Sequence, residues 1–197
     1  MSALPSQSRY IIGTEACERF SFYGMKSILM LYMTGHLLMS DNWSTSTLHI
    51  FVAMVYLLPL AGAWLADKVW GRYKTILYIS LLYCVGHGVL ATADLSHTIE
   101  ARRYILMAGL FIIALGAGGI KPCVSAFMGD QIPNKSPQLM TKAFNAFYWA
   151  INLGSFFSFL VIPAMEQRYG YSWAFAVPGL FMGVATFVFW LGRKNYH

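Results

Sequence analysis

The sequence predicts an all-α membrane protein that crosses the bilayer with six helices. Its 197 residues are 57% hydrophobic and 11% charged, and the mean hydropathy is +0.53, which is more apolar than ordinary soluble domains. Six apolar runs, each long enough to cross a bilayer, alternate with short polar segments. The predicted spans are 10–38, 48–66, 75–93, 104–128, 144–163 and 172–192.

The polar segments between these runs are predicted to be loops. Met39–Thr47 follows the first span, and the second span contains Pro59, which a membrane helix tolerates when neighbours satisfy the freed carbonyl. A short basic link, Asp67–Lys74, leads into the third span, and 94–103 and 131–141 are the next polar segments. We therefore expect no soluble domain.

Charge and cysteine usage exclude several other classes of protein. The formal net charge is +6, but the basic residues are spread between apolar segments, so we predict no nucleic-acid partner. The three cysteines are widely spaced within apolar runs, which argues against a disulfide framework and against a metal site. The amino terminus lacks the pattern of a cleavable signal peptide, so the first span is expected to be retained.

The distribution of basic residues predicts the orientation in the membrane. If the amino terminus is cytoplasmic, one side of the bilayer receives Arg9, Lys68, Arg72, Lys74, Lys135, Lys142, Arg193 and Lys194, and the other receives Arg102, Arg103 and Arg168. Because cytoplasmic loops carry an excess of Lys and Arg, both termini are predicted to be cytoplasmic.

The first span carries an unusual stripe of polar side chains. Glu15, Arg19, Tyr23 and Lys26 follow one another at spacings of four, four and three, and Glu18 stands beside Arg19. On a helix these residues share one face about 16 Å long. Charged residues inside a span usually face a bundle interior or a water-filled cavity. An intrahelical ion pair that neutralises itself is the simpler interpretation, but it leaves Lys26 without a partner.

Lys121 is a further cation, placed in the middle of the fourth span. About seven residues, or roughly 10 Å of helix, separate it from the next polar loop, which makes snorkelling to the interface the less favoured interpretation. The acids at comparable depth are Glu15 and Glu18. We therefore predict an ion pair between the first and fourth spans.

Four sequence motifs resemble known families of transporters. Gly62-Ala-Trp-Leu-Ala-Asp67-Lys68-Val-Trp-Gly71-Arg72-Tyr-Lys74 resembles the loop between helices 2 and 3 of the major facilitator superfamily, with Ala63 and Lys68 as departures. Three more motifs resemble those of the proton-dependent oligopeptide transporters: Glu15-x-x-Glu18-Arg19-Phe20-x-x-Tyr23-Gly24; Gly118-Gly119-Ile-Lys121-Pro122-x-Val-Ser125-Ala-Phe-x-Gly-Asp130-Gln131; and Phe147-Tyr148-x-x-Ile151-Asn152-x-Gly154-Ser155. Phe22, Cys123 and Met128 depart from the motifs of the oligopeptide transporters.

The resemblance to the peptide-transporter family implies roles for individual residues. It implies proton coupling by Glu15, Glu18, Arg19, Lys121 and His49; substrate binding by Arg19, Tyr23, Tyr56, Lys121 and Asn152; and gating by Lys26, Asp67 and Arg72. A histidine that titrates near neutrality could sense external pH, although His49 is equally well explained as an interfacial histidine. For His87 we predict packing or a local hydrogen bond.

The same resemblance implies a fold and a function. Residues 1–197 would form the amino-terminal six-helix bundle of a facilitator-superfamily fold, with a carboxy-terminal half as the missing partner. The function would be proton-coupled symport of di- and tripeptides across the plasma membrane by alternating access, with protons as the coupling ion and no other cofactor. Because one half has a single wall of the cavity, we expect either a fragment or association with a second half or another copy.

Three alternatives remain open from the sequence. A facilitator of another small solute, such as an amino acid, nitrate or a drug, is the nearest. A half-bundle with a purely structural role is the second. A membrane-embedded enzyme that uses the two glutamates as acid and base is disfavoured, because no nucleophile or metal-ligand cluster accompanies them.

Overall fold

The computed structural model describes residues 4–196 and is built from helices. Their bounds are α1 Ser8–Leu31, α2 Asp41–Leu57, α3 Pro59–Leu65, α4 Arg72–Thr92, α5 Ile99–Asp130, α6 Pro137–Tyr169 and α7 Tyr171–Leu191. The two ends of the predicted 1–197 bundle, residues 1–3 and 197, lie outside the described residues, as does the side chain of Lys135.

Several helices begin earlier than hydropathy predicts, so the polar segments are partly helical. Ser40 caps α2, since its hydroxyl accepts a hydrogen bond from the Trp43 amide at 3.4 Å. Thr98 caps α5 in the same way through the Ala101 amide at 3.2 Å. The prediction of a loop over Met39–Thr47 is therefore wrong for most of that segment. Hydropathy locates the apolar part of a helix, whereas capping residues locate its start.

The connection between α2 and α4 is also almost entirely helical. Pro59 is the first residue of α3, where its missing amide hydrogen costs little, and the α-helix passes into a π-helical turn at Ala66–Trp70. Gly71 alone interrupts the path, with φ of 77°, a conformation that favours glycine. The predicted basic link Asp67–Lys74 is thus one turn of helix, a glycine and the start of α4.

Helix α1 is held between α6 and α7, while α4 packs against α5 and α7. Helix α6 approaches α1 closely at Gly154, where a Cβ atom would collide with the Ala16 carbonyl and lie 3.2 Å from the Phe20 amide nitrogen. At Gly24 an added Cβ would lie 2.6 Å from the Ile162 side chain. Small residues at these points let the backbones approach, as is usual between membrane helices. Glu15, Glu18 and Arg19 of the polar stripe are buried, whereas Tyr23 and Lys26 remain partly exposed.

Within the described residues, five helical segments are long and apolar enough to cross a membrane. They are Asp41–Trp70, Arg72–Leu95, Ile99–Asp130, Pro137–Tyr169 and Tyr171–Lys194. Helix α1 has 24 residues, enough for a span, but the four charged side chains of its polar stripe reduce its apolar character. The fold is therefore an all-α membrane bundle with five clear candidate spans.

The five segments differ in how far they are covered by the rest of the chain. In the most apolar stretch of each, 56% of the residues of Ile99–Asp130 are buried, against 17% for Asp41–Trp70 and 22% for Pro137–Tyr169. Large apolar side chains such as Leu60, Trp149 and Phe156 are exposed on the two poorly covered segments. Helix α5 is thus central, whereas α2–α3 and α6 present broad apolar faces outward.

Candidate functional site

Two carboxylates and a guanidinium meet on the buried face of α1. Arg19 Nε lies 3.0 Å from Glu15 Oε1, one turn away, and Arg19 Nη2 contacts Glu18 Oε2. Glu15, Glu18 and Arg19 are 7%, 1% and 6% exposed. The predicted shared face is therefore observed, and Arg19 is the group that bridges it. Counting formal charges, the three side chains leave one negative charge uncompensated.

The contacts of this cluster are ion pairs without the alignment of hydrogen bonds. Neither oxygen of Glu18, nor Nε and Nη2 of Arg19, has an aligned hydrogen-bond partner among the described residues. Buried polar atoms in proteins are usually hydrogen-bonded, and exceptions require an explanation. An ionised carboxylate can accept a proton, and a guanidinium can donate hydrogen bonds to a different carboxylate. The glutamates and Arg19 can therefore each leave their present ion pair for another partner.

Lys121 lies opposite the cluster, on the central helix α5. Its Nζ is 4.9 Å from the centre of the Phe22 ring and 5.1 Å from that of Tyr56, distances at which an ammonium is attracted to a ring face. Among the ion pairs of the described residues, none involves Lys121. The predicted direct ion pair with Glu15 or Glu18 is therefore wrong, because Arg19 already occupies both carboxylates.

Lys121 is nevertheless coupled electrostatically to the cluster. Its charge is attracted by both Glu18 and Glu15 and repelled by Arg19 and Lys26. Removing a negative charge from the cluster would therefore weaken the electrostatic attraction that holds Arg19 and Lys121 close to the two glutamates. A carboxylate of another molecule, placed between Arg19 and Lys121, would replace that charge.

The remaining binding residues predicted from the sequence are not all brought together. Tyr23 is half-buried on α1 and close enough to Arg19 to interact with it electrostatically. Tyr56 on α2 is 71% exposed. Asn152 on α6 donates a hydrogen bond to the Tyr148 carbonyl at 2.9 Å and lines a shallow cavity on that helix. His49 is exposed on α2, two turns before Tyr56.

A second charged cluster joins the end of α5 to the start of α4. Arg72 Nη2 lies 3.7 Å from Asp67 Oδ1, and Arg72 Nη1 contacts Asp130 Oδ2. The sequence predicted Asp67 and Arg72 as gating residues without pairing them, and it assigned no role to Asp130, although Asp130 stands in the motif of the fourth span. The Asp130 side chain is 39% exposed, so the pair contributes little to stability, of the order of 1 kcal/mol or less. It can therefore break at small cost.

Two buried polar residues of α4 face α1: sequence reasoning missed Tyr83, and it predicted only packing or a local hydrogen bond for His87. Tyr83 and His87, one turn apart on α4, are both 0% exposed. Tyr83 interacts electrostatically with Glu18, although its hydroxyl has no aligned hydrogen-bond partner among the described residues. His87 Nε2 lies 2.9 Å from Ser21 Oγ, so the predicted hydrogen bond exists, but it links two helices. The signal available was that both are polar residues within an apolar span.

The fold and the site together define a class of protein. A bundle of apolar helices that encloses glutamates, an arginine and a lysine is typical of membrane proteins that move ions or substrates, because such charges are too costly to bury without a function. Comparison with known proteins gives the family. Residues 73–197 match the model of the POT family.

Similar proteins are found along the whole chain. Human solute carrier family 15 member 2 is 41% identical over 100% of this chain and 28% of its own length, and peptide transporter family 1 of Drosophila melanogaster is 41% identical over 98% and 27%. The crystal structure of the POT family transporter PepTSo superposes with a TM-score of 0.91 at 47% identity, covering 100% of this chain and 39% of that one. The chain belongs to the POT family and spans little more than a quarter of the length of these curated relatives.

Proposed function

We propose that this chain is the amino-terminal half of a proton-coupled transporter of di- and tripeptides. The observation that carries the proposal is the arrangement of Glu15, Glu18 and Arg19 opposite Lys121. In the resting state Arg19 is held by both carboxylates. Protonation of one of them frees the guanidinium, which together with Lys121 then binds the peptide carboxylate. Proton and peptide thus stabilise the same state of the bundle, which is the requirement for coupling.

The proposed half-transporter has six spanning helices, with α1 as the first, and lies in the plasma membrane with both termini cytoplasmic. α1 spans despite its charges because its polar stripe faces the protein interior. Tyr23, Tyr56 and Asn152 would supply hydrogen bonds to the peptide, and His49 would respond to external pH. Lys26 would pair with an acid of the second half at one gate. The pairs that Arg72 makes with Asp67 and Asp130 would open and close at the other.

A second six-helix half completes the site in this proposal. The apolar faces of α2–α3 and α6 are the poorly covered ones, and Tyr56 and Asn152 project from these same segments. A partner bundle placed against these faces would cover them and put a second wall opposite Lys121. Rocking of the two halves about the site would give alternating access.

Uptake into liposomes tests the proposal. We expect an inward proton gradient to drive uptake of labelled di- and tripeptides when the chain is reconstituted with a complementary carboxy-terminal half, and no uptake by either half alone. Free amino acids and nitrate are the control cargoes, and collapse of the gradient with an ionophore is the control for coupling. Uptake that ignores the gradient would reject proton coupling, and a preference for a control cargo would reject the peptide substrate.

A further inference from the structure

A second layer of buried polar side chains lies behind the charged cluster. Glu18 and Ser21 are one turn apart on α1, and Tyr83 and His87 are one turn apart on α4. Tyr83 interacts electrostatically with Glu18, although its hydroxyl makes no aligned hydrogen bond to a described residue, and Ser21 Oγ lies 2.9 Å from His87 Nε2. Ser21, Tyr83 and His87 are each 0% exposed. The two helices are therefore connected by one hydrogen bond and, one turn away, by an electrostatic interaction.

Close packing fixes the two α4 side chains in place. The rings of Tyr83 and His87 stack with centroids 5.0 Å apart and an interplanar angle of 23°. A Cβ atom at Gly116 of α5 would lie 2.5 Å from Tyr83 Cβ, and one at Gly179 of α7 would lie 3.0 Å from His87 Cβ. Both side chains therefore start at points where a neighbouring helix packs closely against α4. The stack therefore places His87, the partner of Ser21, directly against Tyr83.

The chemistry of His87 argues that it does more than fill space. Its Nδ1 atom is buried without a hydrogen-bond partner among the described residues, and leaving a polar atom in that state costs free energy. An apolar side chain of similar volume would avoid the cost. The imidazole gains a single directional contact in exchange, the hydrogen bond to Ser21.

We propose that His87 is a positioning residue for proton coupling: its hydrogen bond to Ser21 and its stack on Tyr83 hold the Glu18 carboxylate in the orientation in which it pairs with Arg19. The inference rests on the proposed function, in which Glu18 belongs to the coupling cluster. The charged and titratable groups that act on Glu18 are Arg19 and Glu15 on α1, Tyr83 on α4 and Lys121 on α5. In this proposal His87 neither transfers the coupled proton nor contacts the peptide.

Infrared titration of Glu18 provides the test, because it reports on the carboxyl group without requiring transport. The Glu18 band is assigned in the purified chain by its absence in Glu18→Gln. We expect His87→Leu to displace the midpoint of this titration by about one pH unit, the size that corresponds to one hydrogen-bond-scale interaction. His87→Gln, whose amide can still hydrogen-bond Ser21, should stay close to wild type. His97→Leu, at an exposed histidine, is the matched control.

Ser21→Ala separates positioning from folding, since it removes the hydrogen bond with almost no change in volume. It should displace the midpoint in the same direction as His87→Leu, and both should displace the pH profile of peptide uptake likewise. A midpoint unchanged in both variants would overturn the proposal, and so would equal displacement by His87→Gln and His87→Leu. Absence of gradient-driven uptake in the wild type would reject the proposed function instead, while the titration of Glu18 would still decide the positioning role.

Discussion

We expect Glu18→Gln to abolish proton-driven peptide uptake by the chain reconstituted with a carboxy-terminal half. Glutamine keeps the shape of the side chain but can neither gain nor release a proton. Proton movement down the gradient is then no longer coupled to peptide transport. Uptake in the presence of the gradient should therefore fall to the level measured without it. Initial rates measured with and without the gradient give the result.

The same variant should retain exchange of labelled for unlabelled peptide across the membrane. Exchange at equal pH on both sides requires no net proton movement, and glutamine resembles the protonated state. Glu100→Gln is the matched control, since it neutralises an exposed glutamate at the start of α5. Proton-driven uptake at the wild-type rate by Glu18→Gln would remove Glu18 from the coupling mechanism.

The second large effect is expected on stability, from Gly62→Ala. A Cβ atom at Gly62 would lie 2.7 Å from Gly119 Cα and closer still to the Gly119 carbonyl oxygen. Because the obstacle is backbone, only a separation of α3 from α5 relieves the collision. We expect a cost at or above the upper end of the usual 1–3 kcal/mol for overpacking, and a fall in Tm of roughly 5 °C or more for a chain of this size.

A matched substitution on α4 controls for the effect of alanine itself. No atom lies within 4 Å of a Cβ built on Gly88, so Gly88→Ala should leave Tm unchanged or raise it slightly through helix propensity. Tm is measured in detergent for both variants alongside the wild type. Equal Tm values for Gly62→Ala and Gly88→Ala would contradict the close crossing of α3 and α5.

Periodicity and depth predicted part of the site but could not assign its partners. The spacing of Glu15 and Arg19 places them on one helical face, and their ion pair confirms it. Arg19 also pairs with Glu18, and Lys121 lies over two aromatic rings instead. These contacts depend on side-chain rotamers and on how α2 and α5 approach α1. Neither quantity is encoded in spacing along one helix.

The ends of the helices and the second polar layer escaped prediction for different physical reasons. The polar turn at the start of α2 extends the helix beyond its apolar part, and Ser40 was the local signal that marked its true start. The contact between Ser21 and His87 joins residues 66 positions apart. It depends on the packing of whole helices, in which Gly116 of α5 and Gly179 of α7 lie close to Tyr83 and His87 of α4.

The most direct test of the central claim is to measure proton uptake when peptide binds. Calorimetric titration of a dipeptide into the purified two-half complex, in pairs of buffers with different ionisation enthalpies and across a range of pH, gives the number of protons taken up. If a proton frees Arg19 for the peptide, wild-type protein and Glu100→Gln will take up protons on binding, and Glu18→Gln will take up fewer or none. Binding enthalpies of the wild type that are the same in every buffer pair, at every pH, would contradict the claim.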